Sequence, residues 1–454
     1  MSARNRELLG LIPVAILVTA GFTAVFIVQN AVVGDLSLIY GGYFLAICVA
    51  THVFIRIYLP NADPYLFPLV ALLAAIGLVV LYRIDEDLAL NQATLFLLGL
   101  AFFALTVIFL RDYSVLERYR YLIASVGILL LMLPRLPGVG SQINGAYLGI
   151  EIGPLSFQPA EFAKLCVVVF LASYLVEKRE VLVIGARRVL GVVLPPLKHF
   201  GPLLVVWGAA MLMLVFIRDL GSSLMFFAAF LAILYVATAR VSFVLIGMVM
   251  FVLGAWFFAE TVPHVGGRVD IWLDPFEDTQ GDGFQVAQSL FAQADGGLFG
   301  EGLGKSLLQL PSVSSDCLGE FPNCGSILPA PHTDLIYAVI VNELGLFGGA
   351  ALVLIYALIA ARGFKTAVMA PDGFSKLLAA GLTAVFTLQA FVIIGGVVRV
   401  IPLTGVTLPF VSYGGSSVVA NMVLLALLLM ISNQARRPAR AKPEPDLSLR
   451  EARA

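Results

Sequence analysis

The sequence predicts an all-α polytopic membrane protein of about 12 transmembrane helices with one large extracytoplasmic loop. Three observations carry that prediction. The 454 residues are 60% hydrophobic and only 13% charged, roughly half the ~25% charge of an ordinary soluble domain. Apolar windows long enough to cross a bilayer recur along the whole chain, and the positive charges between them fall mostly on one side. The 28 basic and 29 acidic residues leave a formal net charge of -1, which removes a general electrostatic case for nucleic acid as a partner. Four Cys and four His are too few and too scattered for a zinc framework or a disulfide-dense scaffold.

A membrane-crossing helix needs about 20 mostly apolar residues. Windows of that kind lie at 10–29, 37–58, 64–82, 92–110, 119–134, 160–176, 200–217, 222–239, 241–261, 333–361, 377–398 and 409–432. They are long continuous runs, not alternating ten-residue segments, so a barrel is excluded. The first window follows Arg4 and Arg6 but is too long for a signal-peptide core and lacks a small-x-small exit, so it reads as an uncleaved helix.

With a cytoplasmic N-terminus, 21 basic residues fall inside and six fall outside, with Lys164 within a span. The positive-inside rule then places both termini in the cytoplasm. The chain divides into an N-terminal helix pair (1–60), a core (61–433) and a short basic tail (434–454) that reads as disordered. The loop at 262–332 is exceptional, with nine acidic and two basic residues. Loops of this length are normally functional or disordered. Phe284, Ala287, Leu290 and Phe291 are spaced for a short helix lying on the membrane surface.

Four clusters stand out at or near membrane depth, where charge is costly and marks function by default. The first is Gln158-Pro159-Ala160-Glu161-Phe162-Ala163-Lys164, with Pro159 suited to a first helical turn and Glu161 three residues before Lys164. Spacing alone leaves a packing ion pair and a polar cavity wall both open. The second is Arg218-Asp219-Leu220-Gly221-Ser222, which reads equally as a solvated turn. The third is Pro331-His332-Thr333-Asp334, before a long apolar run carrying Asn342 and Glu343. Asp334 in a first turn, capped by Thr333, would have a complete structural explanation. The fourth runs from Thr404 through Pro409 and Ser412-Tyr413-Gly414-Gly415-Ser416-Ser417, where small residues serve either tight packing or unwound backbone lining a cavity.

Three patterns are decoys. Gly302-Leu303-Gly304-Lys305-Ser306 lacks the first glycine of a phosphate loop, Phe299 standing in its place. Asp270, Asp274, Asp278 and Asp282 recur every four residues without forming a calcium loop. Cys317 and Cys324 close a small loop on the oxidising side and are expected to form a disulfide, whereas Cys48 and Cys166 lie in spans as packing residues.

Taken in order, Gln158…Glu161…Lys164, Asp219-Leu-Gly-Ser, Gln285…Gly304, His332-Thr333-Asp334…Asn342-Glu343-Leu-Gly345 and Leu408-Pro409…Ser417 resemble the SEDS family, the FtsW/RodA/SpoVE peptidoglycan polymerases of bacteria. The resemblance covers about residues 64–432 and implies a ten-helix core in the bacterial cytoplasmic membrane, with an added N-terminal pair. It also implies polymerisation of lipid II into glycan strands outside that membrane, with a class B penicillin-binding protein as partner. The family often has Gln-Pro where this chain has Ile217-Arg218, and some members carry Lys at Thr404 or Asn within Val392-Ile393-Ile394-Gly395-Gly396. The added pair and Arg218 lean towards an elongation-type, RodA-like member.

The implied reaction needs one carboxylate base for an acceptor hydroxyl and a cationic group for a pyrophosphate. The resemblance places the base at Asp334. Candidates to bind substrate are Gln158, Glu161, Lys164, Arg218, Asp219, Thr333, Glu343, Arg399, Ser412 and Ser416, with a divalent cation (Mg or Mn) as a further possibility for the leaving group. A flippase for lipid-linked precursors is the competing class, because intramembrane charge and broken helices also suit a transporter. No internal repeat is apparent, and the polar motifs gather towards one face. A scaffold that only recruits a penicillin-binding protein would leave the intramembrane charges without a role.

Overall fold

At bilayer depth every backbone N–H and C=O must be satisfied within the protein, so uninterrupted runs of Leu, Val, Ala and Phe form helices. The computed structural model describes residues 2–30, 35–136, 140–143, 146–152, 155–184, 187–189, 192–194, 220–279, 281–305 and 328–437. The first half comprises α1 (Ala3–Asn30), α2 (Asp35–Tyr58), α3 (Leu66–Ile84), α4 (Glu86–Phe109), α5 (Val115–Arg118), α6 (Arg120–Met132), β1 (Gly140–Ile143), β2 (Ala146–Ile152), β3 (Leu155–Phe157), α7 (Pro159–Ile184), β4 (Arg187–Val189) and β5 (Val192–Leu194). The second half comprises α8 (Leu220–Thr238), α9 (Val241–Thr261), α10 (Pro263–Leu273), α11 (Phe284–Gly296), α12 (Ile336–Met369), α13 (Gly373–Val397) and α14 (Gly415–Ala435).

Among the described residues, 10 helices are long and apolar enough to cross a membrane: α1–α4, α7–α9 and α12–α14. The chain is a multi-pass membrane protein. Two of the 12 expected windows are missing from that set. The window at 119–134 becomes α6, a 13-residue helix followed by one 3-10 turn at Leu133–Arg135. It is cut from α5 at Tyr119, whose dihedrals leave the helical region (φ -97°, ψ 20°). The window at 200–217 lies outside the described residues, as do most of the tail, Cys317 and Cys324. The all-α architecture carries two small antiparallel ladders that the sequence did not announce, β1-β2-β3 and β4-β5. The first pairs Ile150 with Phe157 and delivers the chain to Pro159 at the start of α7, where a missing N–H is no loss.

Helix α14 is the axis of the bundle and α9 its margin. In their spans 89% of α14 is buried inside the protein and 6% of α9. Helix α14 packs against α4, α7, α12 and α13, while Leu245, Val249, Leu253, Trp256 and Phe257 of α9 face outward.

Helix α12 has 34 residues, which in one straight rod would be ~50 Å long against a hydrocarbon core of ~30 Å. Gly345 resolves the excess with a non-helical conformation (φ 69°, ψ -171°). The segment 336–344 turns back beside 346–369, so that a Cβ on Gly349 would stand 2.8 Å from the Tyr337 hydroxyl. The turn at 297–305 fills the break: the Gly302 N–H donates to the Glu343 carbonyl (3.0 Å) and the Leu346 N–H to that of Gly297 (2.9 Å). A Cβ on Gly345 would meet the Leu298 carbonyl oxygen at 2.3 Å, so this left-handed position requires glycine.

One end of the bundle is closed by charge. Arg4 pairs with Glu7 and donates to the Ala62 carbonyl, and His52 Nδ1 lies 2.8 Å from Glu7. Asp63 accepts from Arg362 and Arg436, and its N–H donates to Ser432 Oγ (2.9 Å). The start of α1, the link from α2 to α3, and the end of α14 therefore meet at the same end of the molecule. The α3–α4 junction and Asp334 lie at the other.

Candidate active site

The site is built where the 328–335 turn is strapped to the 404–414 segment. Ala330 takes a left-handed conformation (φ 47°), and the Thr333 N–H donates back to its carbonyl (3.2 Å). That back-bonding delays the helix. Leu335 is its N-cap, there is no side-chain cap, and no acidic residue stands in its first turn. The expectation that Asp334 lies in the first turn under a Thr333 cap is thus corrected. Thr333 Oγ1 points back to the Ala330 carbonyl (3.5 Å), and the Asp334 carboxyl is left without a capping role.

Three hydrogen bonds hold the strap. The Tyr413 N–H donates to the His332 carbonyl (2.8 Å), Ser412 Oγ donates to the Thr333 carbonyl (2.7 Å), and the Leu408 N–H donates to Ser412 Oγ (2.9 Å). Gln92 of α4 fixes the far side, donating to the Ser412 carbonyl (3.1 Å) and accepting from the Gly414 N–H (3.2 Å). Asp334 ends up half-buried, with Oδ2 3.7 Å from where a Gly405 Cβ would stand.

Burial pushes the Asp334 carboxyl up to about 6, against the opposing pull of the Arg268 cation. Arg268 itself donates to the Leu403 carbonyl (3.3 Å), so α10 presents a positive charge to the same place. Burial also holds the His332 imidazole below its usual range, against the pull of Asp85 at the α3–α4 junction. A carboxylate poised near neutrality can take a proton, and a cation beside it can stabilise anionic charge.

The first sequence cluster reaches this loop from beneath. Lys164 Nζ donates to Glu161, to Gln389 Oε1 (2.7 Å) and to Asn421 Oδ1 (3.4 Å), using all three of its hydrogens. Gln389 Nε2 donates in turn to Glu161 Oε1 (3.2 Å) and to the Thr407 carbonyl (3.0 Å). Lys164 is 1% exposed and Glu161 3%. Ser416 Oγ accepts from the Gln158 N–H (2.8 Å), anchoring the start of α7.

The remaining sequence candidates scatter. Glu343 forms a buried ion pair with Arg83 and accepts from the Gly304 N–H (3.2 Å) at the α12 break. Arg399 donates to the Trp272 carbonyl (2.7 Å) and to that of Leu273, clamping the end of α10. Arg218 and Asp219 lie outside the described residues. Helix α11 forms as expected but packs on α12, where Asn342 donates to the Ala292 carbonyl (2.7 Å). Phe291 alone of the four expected apolar residues is exposed.

Sequence reasoning missed Arg268, Gln389 and Asn421. The two amides carried a signal, being polar groups inside apolar spans. Among the described residues no three His, Cys, Asp or Glu side chains converge as a metal site. A divalent cation here would have Asp334 and substrate phosphate oxygens as its ligands, the mixed set that Mg accepts.

The class that fold and site define is a polytopic membrane bundle with a buried polar floor and a half-buried carboxyl at one end. The sequence profile of the FtsW/RodA/SpoVE family, described as "Cell cycle protein", matches residues 64–437. The peptidoglycan glycosyltransferase RodA of Mycobacterium tuberculosis is 42% identical over 97% of this chain and 92% of that protein. Stage V sporulation protein E of Bacillus subtilis is 32% identical over 83% of this chain and 98% of its own length.

Among solved structures, a peptidoglycan synthase complex described for its coordination of polymerization and crosslinking contains a chain 26% identical, with a TM-score of 0.64. The match covers 83% of this chain and 99% of that one. Thermus thermophilus RodA, a rod shape determining protein, is 25% identical with a TM-score of 0.56, over 83% of this chain and 98% of its own. The chain belongs to the SEDS family of peptidoglycan glycosyltransferases, the FtsW/RodA/SpoVE group.

Proposed function

We propose that the chain polymerises lipid II at the outer face of the cytoplasmic membrane, with Asp334 as the general base. The 4-hydroxyl of an acceptor GlcNAc attacks the anomeric carbon of a lipid-linked MurNAc. The new O4–C1 bond forms as the C1–O bond to phosphate breaks, undecaprenyl pyrophosphate leaves with the electron pair, and the hydroxyl proton passes to Asp334. One inversion turns the α-linked donor into a β-1,4 glycan. The observation that carries this reading is a half-buried carboxyl, raised to about 6, that caps no helix and faces Arg268. Arg268 replaces Lys164 as the leading group for the leaving pyrophosphate, since every Lys164 hydrogen is already engaged. Glu161, Lys164 and Gln389 act as the floor that positions the 404–414 loop. A divalent cation, where used, would supply Lewis-acid stabilisation of the leaving phosphate.

The orientation rests on the 21 to six distribution of basic residues and on the meeting of both described chain ends at Ala62–Asp63. Twelve spans fit that parity. Helix α6 exposes Leu122, Val126 and Leu129 on one side, as a lipid-facing crossing would, and the apolar composition of 200–217, outside the described residues, fits a twelfth. Coverage of 97% against a RodA, N-terminal pair included, supports an elongation role. The solved synthase complex supports a class B penicillin-binding protein as partner. A flippase would need polar groups open to a path through the bundle, and the closed Lys164 cluster argues against one.

The test is a gel assay of glycan strands from labelled lipid II, using purified protein with its partner. Wild type should polymerise and a well-folded Asp334→Asn should not. Polymer from both would remove Asp334 as the base.

A further inference from the structure

An apolar cavity of about 280 Å³ lies between the N-terminal helix pair and the core, at the same end of the bundle as Asp334. Its walls include Phe22 of α1, Tyr40 and Phe44 of α2, Tyr82 of α3, and Ala93 and Phe96 of α4. The aromatic rings brace one another edge to face: Phe22 on Tyr82 with centroids 5.3 Å apart, Tyr40 on Tyr82 at 5.9 Å. Tyr43, Leu90 and Leu97 also line it and are themselves exposed, so the space opens sideways, and an apolar lining of this kind takes an apolar guest.

The rim of the cavity decides what kind of guest. Directly above it, where α3 passes into α4, stand three consecutive exposed carboxylates, Asp85, Glu86 and Asp87. The Tyr40 hydroxyl at the rim donates to Glu86 Oε1 (3.0 Å). Asp85 caps Leu88 and Glu86 takes the Tyr40 hydroxyl, while all three carboxylates remain exposed. Carboxylates at the mouth repel a pyrophosphate or an anionic headgroup and attract an ammonium. The charge pattern therefore separates this cavity from the site that must take lipid-linked pyrophosphate.

We propose that the cavity binds one acyl chain of an outer-leaflet membrane lipid whose headgroup carries a primary amine, such as a phosphatidylethanolamine. Helix α4 links it to the chemistry. One of its faces lines the cavity with Ala89, Ala93 and Phe96, while Gln92 on another face holds the Ser412–Gly414 turn beside Asp334. A chain in the cavity fills the seam between the N-terminal pair and the core and braces α4 from behind. The proposal rests on the outward orientation argued above, and not on the glycosyl-transfer chemistry.

The experiment uses the full chain in lipid nanodiscs doped with phosphatidylethanolamine or phosphatidylglycerol carrying an acyl-chain diazirine. Labelled peptides are mapped by mass spectrometry. Label is expected in 40–47 and 89–97, with the amine lipid ahead by about two- to fivefold, the range for exposed ion pairs. Ala93→Trp, which fills the cavity, should remove that label. Glu86→Gln with Asp87→Asn, which leaves the cavity intact, should bring the two lipids to parity.

Equal labelling by both lipids that ignores Ala93→Trp would mean ordinary boundary lipid and overturn the proposal. So would displacement of the label by a polyisoprenyl pyrophosphate, which would assign the cavity to the substrate chain. Orientation is read separately, by an impermeant maleimide on Asp87→Cys in cells, with the four native cysteines replaced. Labelling from outside is expected. Protection from outside would overturn the outer-leaflet assignment, while the polymerisation result with Asp334→Asn would stand or fall by itself.

Discussion

Two charged clusters in this bundle contain similar chemistry and are built oppositely. At Glu161–Lys164 an anion and a cation are almost wholly buried, and Gln389 and Asn421 absorb what the pair leaves over. At Asp334–Arg268 an anion and a cation face each other across a half-open loop, the anion caps nothing, and its affinity for a proton is raised. A satisfied pair of this kind is a fixture of the fold, because removing either member strands a charge. A carboxyl that caps nothing and is held by a rigid strap is built as the proposed base would need to be. The difference teaches that intramembrane charge marks importance, and that hydrogen-bond completeness separates support from chemistry.

Substitutions can break or sharpen that contrast. The largest effect is expected for Asp334→Asn, which should lower polymerisation by about a hundred- to ten-thousandfold, the usual contribution of a general base. Its thermal unfolding should stay close to wild type. Lys164→Met should do the reverse first: it leaves Glu161 buried without its cation, destabilising by about 3–5 kcal/mol. Unfolding in detergent would report that loss, and adding Glu161→Gln should recover part of it. A Lys164→Met protein of unchanged stability with a raised KM would instead make Lys164 a substrate ligand.

Arg268→Gln is the intermediate case. Losing the cation that opposes burial should raise the Asp334 value above about 6. The base works deprotonated, so activity falls as pH drops through that value, and the variant's acid limb should move to higher pH. Below the limb each unit of movement costs about tenfold in rate. The smallest effect is expected for Gln92→Leu, which removes two hydrogen bonds from the Ser412–Gly414 turn, each worth about 1 kcal/mol net. A few-fold fall in turnover with little change in pH dependence would show that the strap positions the loop without entering the chemistry.

Much of this was legible in the sequence for local reasons. Spans such as α3, α13 and α14 are continuous apolar runs, and Pro159 opens α7 because its missing N–H suits a first turn. The Glu161–Lys164 contact follows from spacing on one helix. What was not legible depends on distant partners. Gly345 breaks α12 only because the 297–305 turn lies against it. Asp334 falls outside the helix because Ala330 adopts a left-handed conformation and pulls the Thr333 N–H back. A Thr-Asp pair ahead of an apolar run reads as a cap, and that local rule lost to the turn before it. Arg268 gave no local signal, since its place beside Asp334 comes from α10 docking under the Arg399–Trp272 clamp. Gln389 and Asn421 were visible as amides in apolar runs, but their meeting at Lys164 needs three helices at once.

The most direct test of the central claim is the single-turnover rate of lipid II polymerisation against pH, for wild type and Asp334→Asn with the partner bound. The structure predicts a wild-type rate that rises with pH through about 6, and a residual rate in Asp334→Asn that lacks this limb. The same limb persisting in Asp334→Asn would assign the titrating base to another group and contradict the role given to Asp334.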